Sequence, residues 1–365
     1  MKFNCEKDVL DQAFTIAGRA AATRSGALQV LSGLHLELKK DDLVITATDL
    51  DLTIQVDVEV GGKENGSTVL PAKLAGDIIR ALPSGQVEIS MTDDGVTLSS
   101  GRSNFNLRTM SVDDFPKIEP ASGNKVTLNA AGVEQALDQV VTAASGDDSR
   151  PILTGVMLAA EDDGLRFVAT DSYRLAVRDL PGTSILSTDQ TVLVPSRTLE
   201  ALGKLLSTTD ELTISLGERQ ATFYVNNVQI TTTLITGEFP NYRGLIPDHH
   251  PNNLIVDKGT FLDALRRVRL LAQENTPVRL SMTSEIVELI AITQDVGQAS
   301  EIIDAEYAGE DLVVAFNPTY LLEGFEVSPG DEIRLETIDS LKPAVIRSVA
   351  NDEFLYLLMP PSTTL

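Results

Sequence analysis

Few residues in this chain are suited to catalysis or metal binding: 365 residues contain three histidines and one cysteine. His35 sits in a stretch that alternates apolar and polar residues and reads as a packed or edge residue of a strand. His249 and His250 lie in a polar segment that lacks the cysteines or spaced carboxylates of a zinc shell. No Gly-x-Ser-x-Gly elbow, phosphate loop or Gly-x-Gly-x-x-Gly occurs. Gly61-Gly62-Lys63-Glu64-Asn65-Gly66-Ser67 imitates a phosphate loop, but its spacing is wrong and a glutamate intrudes, so it reads as a hairpin turn. The pairs Asp113-Asp114 and Asp162-Asp163 fall at turns, where solvated carboxylates are ordinary. A soluble hydrolase using Asp171 and Ser172 is the strongest enzymatic alternative. It lacks a neighbouring histidine or lysine base, and no other part of the chain repeats the pair. The expectation is no catalytic centre, no metal and no cofactor.

The cations carry more information. The net charge is -24, from 29 Lys and Arg against 53 Asp and Glu, which taken alone opposes binding to a polyanion. Yet many basic residues fall on or just beyond helical segments: Arg19 and Arg24, Lys73 and Arg80, Arg197 and Lys204, and Arg266, Arg267 and Arg269. Most acids fall in turns and strands. If the helices share an inner face, that face is far less acidic than the outside. One helix, near Val133–Ala144, carries no basic residue.

The elements that must position these residues come from a repeat. Leu165-Arg166-Phe167-Val168-Ala169-Thr170-Asp171 echoes Leu43-Val44-Ile45-Thr46-Ala47-Thr48-Asp49 and, more faintly, Val287-Glu288-Leu289-Ile290-Ala291-Ile292-Thr293. The offsets, 165 − 43 and 287 − 165, are both 122 residues, the length of a domain rather than of a solenoid unit. Each copy reads as two strand–helix–three-strand halves. The first helix of each copy has apolar residues at helical spacing, as in Val9, Leu10, Ala13, Phe14, Ile16 and Ala17. The second follows Val-Leu-Pro, Leu-Val-Pro or Phe-Asn-Pro, with proline near its first turn; in the first copy it carries Leu74, Ile78, Ile79 and Leu82. Strands are expected near Gln29–Leu36, Leu43–Thr48 and Leu52–Val60 in the first copy, and near Leu153–Ala159, Leu165–Thr170 and Arg174–Val177 in the second. The fold class is α+β, with three domains at 1–121, 122–250 and 251–365. Sheets outside and helices on a common inner side would be an economical arrangement.

The chain is long for one core, contains no Trp, and has a lone cysteine, Cys5, which suits a reducing compartment. Its N-terminus is charged where a signal peptide is apolar, and no run approaches the ~20 apolar residues of a membrane span. A cytoplasmic protein with no membrane partner is expected.

Four motifs, in order on this triplicated frame, carry a resemblance: Val168-Ala169-Thr170-Asp171-Ser172-Tyr173-Arg174-Leu175-Ala176, Phe239-Pro240-Asn241-Tyr242-Arg243-Gly244-Leu245-Ile246-Pro247, Phe316-Asn317-Pro318-Thr319-Tyr320-Leu321 and Tyr356-Leu357-Leu358-Met359-Pro360. Over its full length the chain resembles the bacterial sliding clamps, the beta subunits of replicative DNA polymerase III. The resemblance implies a head-to-tail homodimeric ring with helices lining the inside and sheets on the outside. It implies sequence-independent binding of duplex DNA, and tethering of the replicative polymerase catalytic subunit, the clamp loader and other proteins that carry a clamp-binding motif. Retention would be topological, since phosphate contacts carry no sequence information.

The same resemblance assigns residues. Arg24, Lys73 and Arg197 match DNA-contacting positions, and Arg150 lies beside the second-domain DNA loop, although Pro151-Ile152 replaces the aromatic pair of some members. A partner-peptide groove would use Leu153, Thr170, Ser172, Tyr173, Arg174, Leu175, Pro240 and Leu245. Its second part would use Asn317, Tyr320, Leu341, Pro343, Leu358, Met359 and Pro360. Phe105 and Leu107 match one side of the ring seam and Leu270 and Leu271 the other, with Arg102 and Glu301 adding charge pairing. Asp49-Leu50-Asp51-Leu52 replaces the groove motif in the first copy, which should therefore lack a groove. Gly244, in place of an arginine found in some members, and the tail Pro361–Leu365 are departures.

Overall fold

Alternating strands and short amphipathic helices fold into antiparallel sheets with helices packed on them. The structure is a computed structural model that describes residues 1–23, 28–92, 94–272 and 276–361. Contacts divide the chain into two units, Met1–Ala131 with Glu200–Leu234, and Gly132–Leu199 with Ile235–Leu365.

The first unit holds a five-stranded and an eight-stranded sheet. The eight-stranded sheet runs Lys125–Asn129, Glu211–Leu216, Gln220–Val225, Val228–Thr233, Leu52–Glu59, Asp42–Thr48, Gly33–Lys39, Gly66–Pro71. At its centre a strand of the second sequence copy pairs with one of the first, Ile230 opposite Ile54. The five-stranded sheet runs Gly61–Glu64, Lys2–Glu6, Gln86–Thr92, Gly95–Ser100, Ser103–Leu107. Helices α1 (Lys7–Gly18) and α2 (Ala72–Ala81) pack together and bury Leu10, Phe14, Ala17, Ala75 and Ile79. Val9 and Leu74, which the helical spacing would bury, are exposed instead. The residues Gln29–Ser32, read as the start of a strand, form a 3-10 turn, and the strand begins at Gly33.

Helices α3 (Ala130–Val140) and α4 (Ser196–Leu206) follow, and the division into units passes through both. The helix expected over Val133–Ala144 thus starts earlier and ends in a 3-10 turn at Val141–Ala143.

The second unit holds a nine-stranded and a four-stranded sheet. The nine-stranded sheet runs Thr191–Pro195, Gly155–Glu161, Gly164–Thr170, Arg174–Pro181, Phe354–Leu358, Ala344–Ser348, Glu332–Thr337, Asn252–Asp257, Glu306–Ala308. The four-stranded sheet runs Gly297–Asp304, Ile286–Thr293, Val278–Met282, Leu312–Phe316. Helix α5 (Lys258–Val268) starts at Asp257, whose Oδ1 accepts from the Thr260 amide at 2.8 Å. Helix α6 (Pro318–Val327) starts at Asn317, whose Oδ1 accepts from the amides of Thr319 and Tyr320. The two helices meet through stacked Phe261 and Phe325 rings, centroids 4.0 Å apart. Lys258 Nζ donates to the carbonyls of Glu326 and Ser328 at the end of α6, satisfying acceptors the helix leaves open.

Candidate functional site

In the second unit, strand Gly164–Thr170 turns at Asp171–Tyr173 into Arg174–Pro181. Two side chains fix the turn. Thr170 Oγ1 donates to the Arg174 carbonyl at 2.6 Å and accepts from the Ser172 amide at 3.1 Å. Asp171 Oδ1 accepts from the amides of Tyr173 and Arg174, at 2.9 and 3.0 Å. The turn needs Ser172 at φ 82°, a region that costs a non-glycine residue energy and persists because these bonds hold it. Asp171 is buried and spent on this turn and on the Arg174 side chain. It is a turn-builder, and the hydrolase role considered for it with Ser172 is not supported.

Strand Arg174–Pro181 pairs with Phe354–Leu358, placing Arg174 opposite Leu358 and Leu175 opposite Leu357. Since successive side chains point to opposite faces, this register sorts the residues. On one face, Arg174 meets Tyr356 and α6. Its Nε donates to Asp171 Oδ2 at 3.0 Å and its Nη1 to the Tyr356 hydroxyl at 3.1 Å. It also pairs with Glu323 and stacks over the Tyr320 ring at 4.4 Å. Burial opposes the Arg174 charge, but Tyr356 and Asp171 outweigh it and hold its pKa above the ordinary value. Burial pushes the Tyr356 hydroxyl up to about 12, with Arg174 pulling the other way. Gly324 makes this packing possible: a Cβ there would lie 2.6 Å from the Tyr356 ring.

On the other face, Leu175, Leu357, Val177, Leu355, Val168 and Val345 form an apolar floor. Ile152, Ile235, Phe239 and Ile246 are half-buried against it. Beyond the strand end, the Met359 amide donates to the Tyr173 carbonyl at 2.9 Å, extending the ladder by one bond. Tyr173 (60% exposed), Leu245 (48%), Leu341 (68%) and Met359 (38%) are large apolar side chains left open to solvent. The exposed side chains and the apolar floor make this region suited to taking up an apolar segment of another chain.

The register brings together Thr170, Ser172, Tyr173, Leu175 and Met359 along the floor and its rim, and places Arg174 on the opposite face. Pro343, just before Ala344–Ser348, adjoins Met359 because Ala344 pairs with Leu358. Pro240 and Leu245 belong to the segment around Tyr242, where the Tyr242 amide donates to the Pro240 carbonyl and the Leu245 amide to the Tyr242 carbonyl. Leu153 and Pro360 are half-buried beside these elements. Two expected groove residues differ. Leu358 is buried on the Arg174 face, and Leu357 is the residue that shares a face with Leu175. Asn317 has its side-chain oxygen committed to capping α6. Sequence reasoning also missed Glu323 and Tyr356. The five residues Phe354–Leu358 are all buried, so no polar alternation marks the faces.

Lys73 is exposed in the first turn of α2, and Arg197 is exposed as the second residue of α4. Arg24 lies outside the described residues. Arg150 has its donors engaged by Asp147, Ser145, Ser172 and the Asp171 carbonyl. Of the seam residues, Phe105 (39%) and Leu270 (80%) are exposed, Leu271 is half-buried, and Leu107 is buried rather than open. Glu301 is held by Arg267 through two bonds of 2.6 Å. His35 stacks on Phe115, and burial lowers its pKa. Among the described residues no cluster of metal-ligating side chains occurs, and no helix is long and apolar enough to cross a membrane.

Family models of the DNA polymerase III beta subunit match almost the whole chain: the N-terminal domain at 1–119, the central domain at 127–241 and the C-terminal domain at 243–362. The chain belongs to the DNA polymerase III beta-subunit family, the beta sliding clamps. The Streptomyces coelicolor beta sliding clamp is 34% identical, with 99% of each chain covered. That of Staphylococcus epidermidis is 30% identical, with both chains covered in full. Among solved structures, the DNA polymerase sliding clamp of Bacillus subtilis superposes with a TM-score of 0.91 at 29% identity over the whole of both chains. A sliding clamp from Bartonella birtlesii bound to griselimycin gives 0.92 at 29% identity, again over the whole of both chains. Family membership makes the chain a non-catalytic processivity factor and rules out the hydrolase alternative.

Proposed function

We propose that two copies of this chain close head to tail into a ring around duplex DNA and tether the replicative polymerase through the Leu175–Leu357 groove. Three domains per chain, 1–121, 122–250 and 251–365, would give the ring six. The observation that carries the assembly is the pairing rule of the sheets. In both large sheets, the last strand of one copy's second half pairs with the third strand of another copy's first half: Val228–Thr233 with Leu52–Glu59, and Phe354–Leu358 with Arg174–Pro181. Two strands of these same classes stand at open sheet edges, Ser103–Leu107 and Gly297–Asp304. Joining them between copies would apply the rule once more. It would cover Phe105, Leu270 and Ile302, which are costly on an open edge. Duplex DNA would pass along the helices, meeting Arg24, Lys73 and Arg197 through its phosphates and held by topology, so that it can slide. The replicative polymerase catalytic subunit and the clamp loader would dock in turn at the groove, each by a short segment with large apolar side chains.

The test is topological. Loaded onto nicked circular DNA, the protein should stay bound through a high-salt wash and leave when the circle is cut once. Release that is equally fast from circle and linear DNA would refute encirclement.

A further inference from the structure

The strained Ser172 turn leans on an arginine whose place in the first copy is taken by a leucine. Arg150 immediately precedes the 3-10 turn Pro151–Thr154. Its Nε donates to Asp147 Oδ2 at 2.8 Å and its Nη2 to Ser145 Oγ at 3.2 Å. Its Nη1 reaches the Asp171 carbonyl at 3.3 Å and Ser172 Oγ at 3.4 Å. One planar fork therefore ties the Ser145–Arg150 loop to the two residues at the crown of the turn, a geometry an ammonium cannot reproduce. Asp147 is itself fixed, accepting from the Ser149 hydroxyl at 2.6 Å and the Ser149 amide at 3.0 Å. In the first copy the matching 3-10 turn is Gln29–Ser32, built alike: Ser32 Oγ donates to the Gln29 carbonyl at 2.8 Å, as Thr154 Oγ1 does to Pro151. The residue in Arg150's place there is Leu28, which is exposed and has no donor to offer.

We propose that Arg150 is a positioning residue of the peptide groove rather than a DNA ligand. It presets the Asp171–Ser172 crown, and with it the rim from which Tyr173 stands out, before a partner's apolar docking segment arrives. This rests on the groove reading above. A guanidinium with four of its five N–H donors engaged by Asp147, Ser145 and the crown has little left to give a phosphate. Without the brace, a smaller fraction of the protein holds the competent rim, and apparent affinity falls by that fraction.

The experiment uses the full chain and a labelled peptide that carries the clamp-binding motif of the replicative polymerase catalytic subunit. Affinity is read by fluorescence anisotropy, alongside thermal melting and retention on nicked circular DNA. Arg150→Ala and Arg150→Lys should each weaken the peptide about tenfold, the lysine failing to rescue because it lacks the fork. Asp147→Asn, which alters only the residue that orients Arg150, should weaken it about threefold. DNA retention should stay at the wild-type level and melting within about 2 °C. Wild-type peptide affinity in Arg150→Ala, full rescue by lysine, or lost DNA retention with peptide binding intact would each overturn the proposal. If Arg150→Ala does not fold, the lysine and Asp147→Asn arms decide it. A wild-type chain that does not bind the peptide at all would sink the groove reading, and the brace with it.

Discussion

The turn after Thr48 and the turn after Thr170 are one device built twice, and they end in different surfaces. Thr48 Oγ1 donates to the Leu52 carbonyl at 3.1 Å and accepts from the Leu50 amide at 3.0 Å, as Thr170 does with Arg174 and Ser172. Asp49 Oδ1 accepts from the amides of Asp51 and Leu52, as Asp171 does from Tyr173 and Arg174. Leu50 has φ 85° where Ser172 has 82°. Even the added rung recurs: the Thr233 amide donates to the Asp51 carbonyl at 2.9 Å, as Met359 does to Tyr173.

The sheet face beside each turn is where they part. Register puts Thr53, Thr231, Thr222, Gln55, Gln229 and Thr46 where the second unit has Leu175, Leu357, Val345, Val177, Leu355 and Val168. The threonines pair among themselves, Thr48 with Thr53 at 2.7 Å and Thr222 with Thr231 at 3.0 Å, and the Ala121 amide donates to Thr222. A floor of satisfied hydroxyls gives an apolar side chain nothing to gain by burial, whereas an aliphatic floor does. The two junctions thus share the turn and differ in the strand faces beside it and in the Arg150 brace.

Exchanging the floors should have the largest effect. Leu175→Thr with Leu357→Thr copies the first junction onto the second and should weaken the polymerase peptide by about a hundredfold or more, because both leucines, buried in the free chain, support the half-buried Ile152, Ile235, Phe239 and Ile246 against which a partner would pack. Anisotropy measures this, and circular dichroism checks the fold. Next, Arg174→Leu copies Leu52 and leaves Glu323 and Asp171 with a missing cation. Urea unfolding should show a loss of about 3–5 kcal/mol, and Leu52→Arg should not return a comparable gain. Gly324→Ala comes third. It pushes a methyl into the Tyr356 ring and should cost about 1–3 kcal/mol by the same assay, with Arg174 displaced from its hydroxyl. The smallest effect is on pH. Tyr356 has Ile230 as its counterpart, so only the second unit carries this group. Its folded pKa, about 12, exceeds the unfolded value near 10. The folded state thus keeps a proton the unfolded chain has lost, and stability should fall between about pH 10 and 12. Tyr356→Phe should flatten that part of the stability–pH curve in difference measurements.

The triplicate frame and the proline-marked helix start at Pro318 were legible because residue types and their spacing carry them. Strand pairing between copies was not legible, since it joins residues such as Arg174 and Leu358 that are far apart in sequence. The facing of Leu357 and Leu358 was hidden because a wholly apolar strand has no readable alternation, and a one-residue slip exchanges its faces. Arg150 stood in the sequence as a cation beside the DNA loop that the resemblance implies, and only its contacts show that it braces a turn. Val9 and Leu74 have helical spacing yet lie exposed, a reminder that apolar periodicity alone does not say which residues a helix buries.

The proposed groove stands on the apolar cluster of Leu175 and Leu357 beside the braced turn, and the first junction, with threonines in their place, should take up no partner. Calorimetric titration of the wild-type chain with the polymerase peptide tests it most directly. The wild-type chain should take one peptide per chain, and the double threonine variant should bind it about a hundredfold more weakly or not at all. Two peptides per chain, or undiminished binding by a folded variant, would contradict this.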